Sequence, residues 1–230
     1  MKPSAVTSLV AGARLGWTRL WGRSLGGLLL LSVAFTVTVA LVERRLGSAA
    51  AVTRVVMTLA RWVIPLGAFS LLWQVRGGRR LQDACWPLAR FGYRRRAVAS
   101  GAIMVASGVA AAVALLSCGA GLWLVRDKLH GAGEVWICLR VCVLASLAYA
   151  AAFGCAGNMG RGGRGCWVLL LADLLLGAGA GWPTWPFPRA HVRSLFGGAA
   201  VTGFSQATSS VSLWLIVVAS WLWLMARLPD

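Results

Sequence analysis

Acidic residues are scarce in this chain: six Asp and Glu stand against 23 Lys and Arg in 230 residues, and histidine occurs twice. No paired acidic motif is available for general acid–base work, neither histidine has a companion at a zinc-ligand spacing, and GxSxG and HExxH are absent. The glycine-rich run from Gly160 to Gly165 lacks the lysine and hydroxyl of a GxxxxGK[ST] phosphate loop, so the chain is not expected to hydrolyse ATP by itself. An enzyme reading has no residues to stand on.

Charge of any sign is thin as well. Charged residues make up 13% of the chain and hydrophobic residues 59%, with a mean hydropathy of +0.74. That is more apolar surface than one soluble core of this length can bury, so the expected solvent is a lipid bilayer. The net charge of +17 does not point to nucleic acid. The arginines bracket apolar runs and form no extended basic face interleaved with aromatics, which is the pattern of membrane anchoring to lipid headgroups.

What is present is organised around residues 76–96. Seven arginines (Arg76, Arg79, Arg80, Arg90, Arg94, Arg95 and Arg96) face a single Asp83, while Leu81, Ala84, Cys85, Leu88 and Phe91 fall at helical spacing among them. The spacing predicts a short amphipathic helix in a membrane interface, with the guanidinium groups towards water or anionic lipid.

The rest of the chain reads as an all-α polytopic membrane protein. Residues 1–23 place Val6, Leu9, Val10, Ala13, Trp17, Leu20 and Trp21 on one stripe, the pattern of an N-terminal amphipathic interfacial helix. A signal peptide fits poorly, because the next apolar run is long enough to span and ends on Glu43, Arg44 and Arg45, not on a small-residue cleavage site. Residues 24–230 then carry six expected transmembrane helices, at about 24–42, 55–75, 97–125, 135–156, 166–181 and 206–226. Residues 182–203 contain Pro183, Pro186 and Pro188 before a run of small residues, so re-entrant helices are expected before the last span.

Three charges lie inside these spans: Arg61, Arg140 and Asp173. They are candidates for a substrate pathway or an intramembrane ion pair; the plain reading is snorkelling for the two arginines and a helix contact for Asp173, whose short side chain cannot reach the interface. Cys138 and Cys142, at i and i+4, present two thiols to one helix face, as a soft metal such as Cu(I) would need. No Met or His completes the set, so packing is their expected role and no metal is assigned. Disulfides are not expected, since no two cysteines share an outer loop.

With six spans both termini lie on one side. Fourteen of the 23 basic residues (Lys2, Arg14, Arg19, Arg23, the seven of the central loop, Arg161, Arg164 and Arg227) then share that side, and seven face the other. The bias places both termini in the cytoplasm.

The N-terminal amphipathic helix, the six spans, the basic segment LARFGYRRRAVASG (Leu88 to Gly101) and the proline-bearing stretch before the last span together resemble the membrane subunit of type 2 ATP-binding-cassette exporters. Leu88, Arg94, Arg95 and Gly101 match the later part of that family's pattern before the third span. The acidic residues usual before that family's glycine-threonine motif are missing, with Gln74, Arg76, Gly77 and Gly78 in their place. The resemblance implies a bacterial inner-membrane permease that pairs with a second permease subunit and couples to separate ABC ATPase subunits, which bind the ATP and Mg; no cofactor is expected in this chain. Residues 76–96 would be the coupling segment, with Leu81, Trp86, Leu88 and Phe91 as apolar anchors beside Arg94 and Arg95. The alternative is a non-transporting membrane scaffold or assembly subunit of a larger complex.

Overall fold

The structure, a computed structural model, describes residues 3–21, 23–179, 181–198, 201 and 205–228. All regular structure among them is helical. In chain order the elements are α1 (Ala5–Leu20), α2 (Arg23–Arg45), α3 (Ala51–Thr58), a π-helical turn (Leu59–Val63), α4 (Ile64–Arg76), α5 (Leu81–Ala84), α6 (Trp86–Ala89), α7 (Arg95–Leu124), α8 (Ala132–Ala156), α9 (Gly165–Leu176), α10 (Pro188–Leu195) and α11 (Gln206–Arg227).

Local chemistry sets several of these boundaries. The Ser4 hydroxyl accepts the Thr7 N–H at 3.1 Å to open α1, and Ser205 accepts from Thr208 at 3.2 Å to open α11. Pro65 has no N–H to give to the Arg61 carbonyl, and the ladder widens into the π turn just before it. The helix nevertheless continues, so 51–76 is one rod of 26 residues. It stops at Gly77, whose φ of 59° is a left-handed cap that glycine adopts without strain.

Among the described residues, five helices are long and apolar enough to cross a membrane: Leu25–Arg45, Ala51–Arg76, Arg95–Leu124, Ala132–Ala156 and Gln206–Arg227. The fifth apolar run of the sequence forms only the 12 residues of α9. At ~1.5 Å per residue it covers about 18 Å of a ~30 Å hydrocarbon core. Beyond it the chain passes through a 3₁₀ turn (Trp182–Thr184) into α10, and Pro188, Arg189, Ala190, His191, Val192 and Ser194 of that short helix are buried. Part of the predicted re-entrant segment, residues 199–200 and 202–203, lies outside the described residues.

α1 runs parallel to α7 in constant register. The Arg94 N–H donates to the Ser8 hydroxyl at 3.2 Å, and Gly12 and Gly16 rest on the backbone of Val98 and Ala102, each pair 86 residues apart. Small residues at every fourth position let the two backbones touch, as in membrane helix pairs. The face that α1 turns to the bundle is therefore Ser8, Gly12, Gly16 and Leu20, while Val6, Val10, Trp17 and Trp21 of the predicted apolar stripe stay exposed. In a bilayer that outer face meets lipid.

α8 and α11 also run parallel, so the chain returns between them through α9. The Arg96 Nε donates to the Leu228 carbonyl at 2.9 Å, which brings the C-terminal end of α11 to the start of α7, where Ser8 also lies. Both ends of the described chain thus meet at the arginine-rich end of the bundle. At the opposite end Arg54 grips both carboxylate oxygens of Glu43, at 3.0 and 3.2 Å, across the α2–α3 turn.

Candidate functional site

Two loops meet at the arginine-rich end: residues 77–94 between α4 and α7, and 157–164 between α8 and α9. Arg80 Nε donates to the Gly160 carbonyl at 2.7 Å, and the Gln82 N–H donates to Asn158 Oδ1 at 3.1 Å. From the third side, Arg19 of α1 donates to the carbonyls of Val75 at 2.6 Å and Ala84 at 3.2 Å. The joint between the loops is Arg76. Its Nη1 donates to the carbonyls of Gly157 (3.0 Å), Arg79 (3.2 Å) and Gly163 (3.3 Å), and its guanidinium carbon lies 5.2 Å from the centre of the Trp73 ring.

This corrects the expectation that all seven arginines of the segment face water or lipid: Arg76 is 1% exposed. Charge counting cannot separate an arginine that solvates a surface from one whose donors organise carbonyls at helix ends. The glycines that make room for Arg76 are its neighbours only in the fold. A side chain on Gly163 would overlap Arg76 Nη1, and one on Gly157 would come within 2.9 Å of it.

The predicted amphipathic helix is broken into two four-residue turns, α5 and α6, on either side of Cys85. Pro87 in the first turn of α6 lacks the N–H that a continuous helix would need there. Its anchors divide accordingly. Leu81 is fully buried in the protein's own core, and Leu88 packs against that core partly buried. Trp86 and Phe91 stay outside, 49% and 77% exposed, and Arg95 stacks on Trp86 at 4.5 Å. Arg94 is exposed at the start of α7. Burial pushes the Cys85 thiol up to about 12, against the opposing pull of Arg19 and Arg95, so it is no nucleophile at neutral pH.

A second polar centre sits between α8, α9 and α10. Asp173 is 1% exposed, and its Oδ2 accepts the Tyr149 hydroxyl at 2.8 Å while Oδ1 accepts the Arg189 backbone N–H at 3.1 Å. The carboxylate thereby caps the first turn of α10. The Arg189 side chain donates to the Leu174 carbonyl at 2.9 Å and lies 5.9 Å from the Trp62 ring of the π turn. Arg193 holds the carbonyls of Ala178 and Gly179, and His191 Nε2 lies 2.8 Å from the Trp185 carbonyl. Hydropathy could find Asp173. It could not name Tyr149, 24 residues away, because that choice is made by how α8 and α9 pack.

Tyr149→Phe is expected to destabilise the protein by about 1–3 kcal/mol, since Asp173 Oδ2 loses its buried donor. Asp173→Asn should cost less, because the amide oxygen still accepts from Arg189 and the tyrosine hydroxyl can turn to accept from the amide. Thermal unfolding in detergent checks the order; equal midpoints for Tyr149→Phe and the parent would refute the buried bond.

The two remaining intramembrane charges are not brought to Asp173. Arg61 is exposed on the π turn, and Arg140 is exposed on α8 in a groove beside α11. A guanidinium near the middle of a helix in lipid costs about 2.5 kcal/mol or more unless it meets water, an anion or a headgroup. Cys138 and Cys142 are buried on one face of α8, yet no group of three His, Cys, Asp or Glu among the described residues forms a metal site. No protein-family model matches the chain, and no curated protein matches it either.

Proposed function

We propose that the chain is the permease subunit of an ATP-binding-cassette exporter of the type 2 class. It would sit in a bacterial cytoplasmic membrane with both termini and the loops 77–94 and 157–164 in the cytoplasm. Two permease subunits would work with separate ATPase subunits that hold the ATP and Mg. Support comes first from one observation: at the arginine-rich end, where both ends of the described chain gather, Trp86 and Phe91 stand exposed on backbone tied to α1 and to the 157–164 loop. Two exposed aromatic rings on a braced loop, one of them stacked by Arg95, have the make-up of binding hot spots. Arginines around them suit the cytoplasmic side and would steer an acidic groove into contact.

Changing Trp86 and Phe91 together to alanine is expected to weaken association with the ATPase by about 2 kcal/mol or more, roughly 30-fold, with membrane insertion intact. Copurification of an ATP-hydrolysing subunit from native membranes reads this directly. Full stoichiometry and full turnover in the double variant would exclude the docking assignment and favour a scaffold whose short helices only anchor the bundle.

A further inference from the structure

The groove between α8 and α11 carries an inference that does not depend on the transport reading. It has a volume of about 730 Å³, within the ~300–1,000 Å³ of ligand sites, and is walled by Trp136, Leu144 and Trp214 with Arg140, Gln206 and Ser210 as polar groups. Arg140 is the charged residue of the lining, which holds no acid among the described residues. Glu134, the acid of the first turn of α8, is engaged by His130, whose N–H it accepts at 3.0 Å.

Depth matters here. Arg140 lies eight residues into α8, about 12 Å from its start at ~1.5 Å per residue, and one turn beyond the exposed Trp136. Trp136 has the place of an interfacial tryptophan, so Arg140 opens just beneath the headgroup level. Gln206, in the first turn of α11, lies at the same end of the groove, and apolar side chains continue away from it along α8. A cation and an amide at the headgroup end of an apolar trough match one molecule of the bilayer: a phospholipid, phosphate on the guanidinium and acyl chain along Leu144 and Trp214. We propose that this groove holds one anionic phospholipid of the leaflet at that end, bound through Arg140.

The experiment is lipid retention by the full chain purified in mild detergent, counted by native mass spectrometry after exhaustive exchange, followed by reloading with phosphatidylglycerol. The parent and Arg14→Gln, an exposed change on α1, should retain about one phospholipid per chain. Arg140→Gln should retain less than about a tenth of that. Ser210→Trp, which fills the groove and leaves the charge, should lose the lipid equally and guards against a folding defect in the first variant. Equal retention in Arg140→Gln and the parent overturns the proposal. So does displacement by millimolar inorganic phosphate, which would mark a plain anion site. Dissociation of a dimer by either variant, with no change in bound lipid, would assign the groove to a second copy of the chain.

Discussion

Gly101→Ala is expected to destabilise this protein by about 3 kcal/mol, although alanine is the better helix former. A Cβ at that position would overlap the Leu9 carbonyl oxygen and come within 2.7 Å of the Ala13 nitrogen. Both are backbone atoms that no rotamer change can move. The helices must separate, and the small-residue seam of Ser8, Gly12 and Gly16 opens with them. Gly12→Ala should act in the same direction from the other side, since its Cβ would meet the Val98 backbone. The control lies on the same helix: Gly108 has nothing within 4 Å of a built Cβ, so Gly108→Ala should be neutral or stabilise by up to about 1 kcal/mol. Thermal unfolding in detergent should separate Gly101→Ala from the parent by roughly 10 °C and leave Gly108→Ala at or above it. Equal midpoints for the two variants would show that α1 is not held against α7.

Arg76→Leu should do comparable damage, about 3 kcal/mol, because buried carbonyls lose hydrogen bonds to a charged donor, each worth about 1.5–3 kcal/mol. The carbonyls of Gly157, Arg79 and Gly163 lose a shared donor, and leucine offers none in its place. Arg76→Lys should rescue only in part: its ammonium brings three donors to the three carbonyls that Nη1 contacts, but its shorter stem and the loss of the planar group beside the Trp73 ring weaken the fit. The effect should be local before it is global: hydrogen exchange should speed up first in residues 157–164 and 77–82, with the centres of α7 and α8 still protected. Gly163→Ala, at a φ of 73° and against Arg76 Nη1, should reproduce that pattern with the arginine present. Uniform exchange changes across the bundle would instead mean that Arg76 supports the whole helix assembly and not this joint.

The class of the protein was legible in its composition, because partition into lipid depends on summed apolar area and needs no knowledge of partners. Five of the expected spans appear as long apolar helices. The run around Asp173 was apolar enough to suggest a further span, but only the fold could shorten it to α9 and turn the chain into a buried polar helix. What the tertiary structure decided is which polar groups meet. Arg76 and Arg79 look alike in a run of arginines; one is buried under three carbonyls and the other is exposed, because α4 ends beside the 157–164 loop. Asp173 acquired Tyr149, Arg140 acquired a groove, and the small face of α1 outweighed its apolar stripe through contacts between segments far apart in sequence. Hydropathy is a property of each residue and its near neighbours, whereas the partner of a buried donor or the closeness of two backbones is fixed only when distant helices come together.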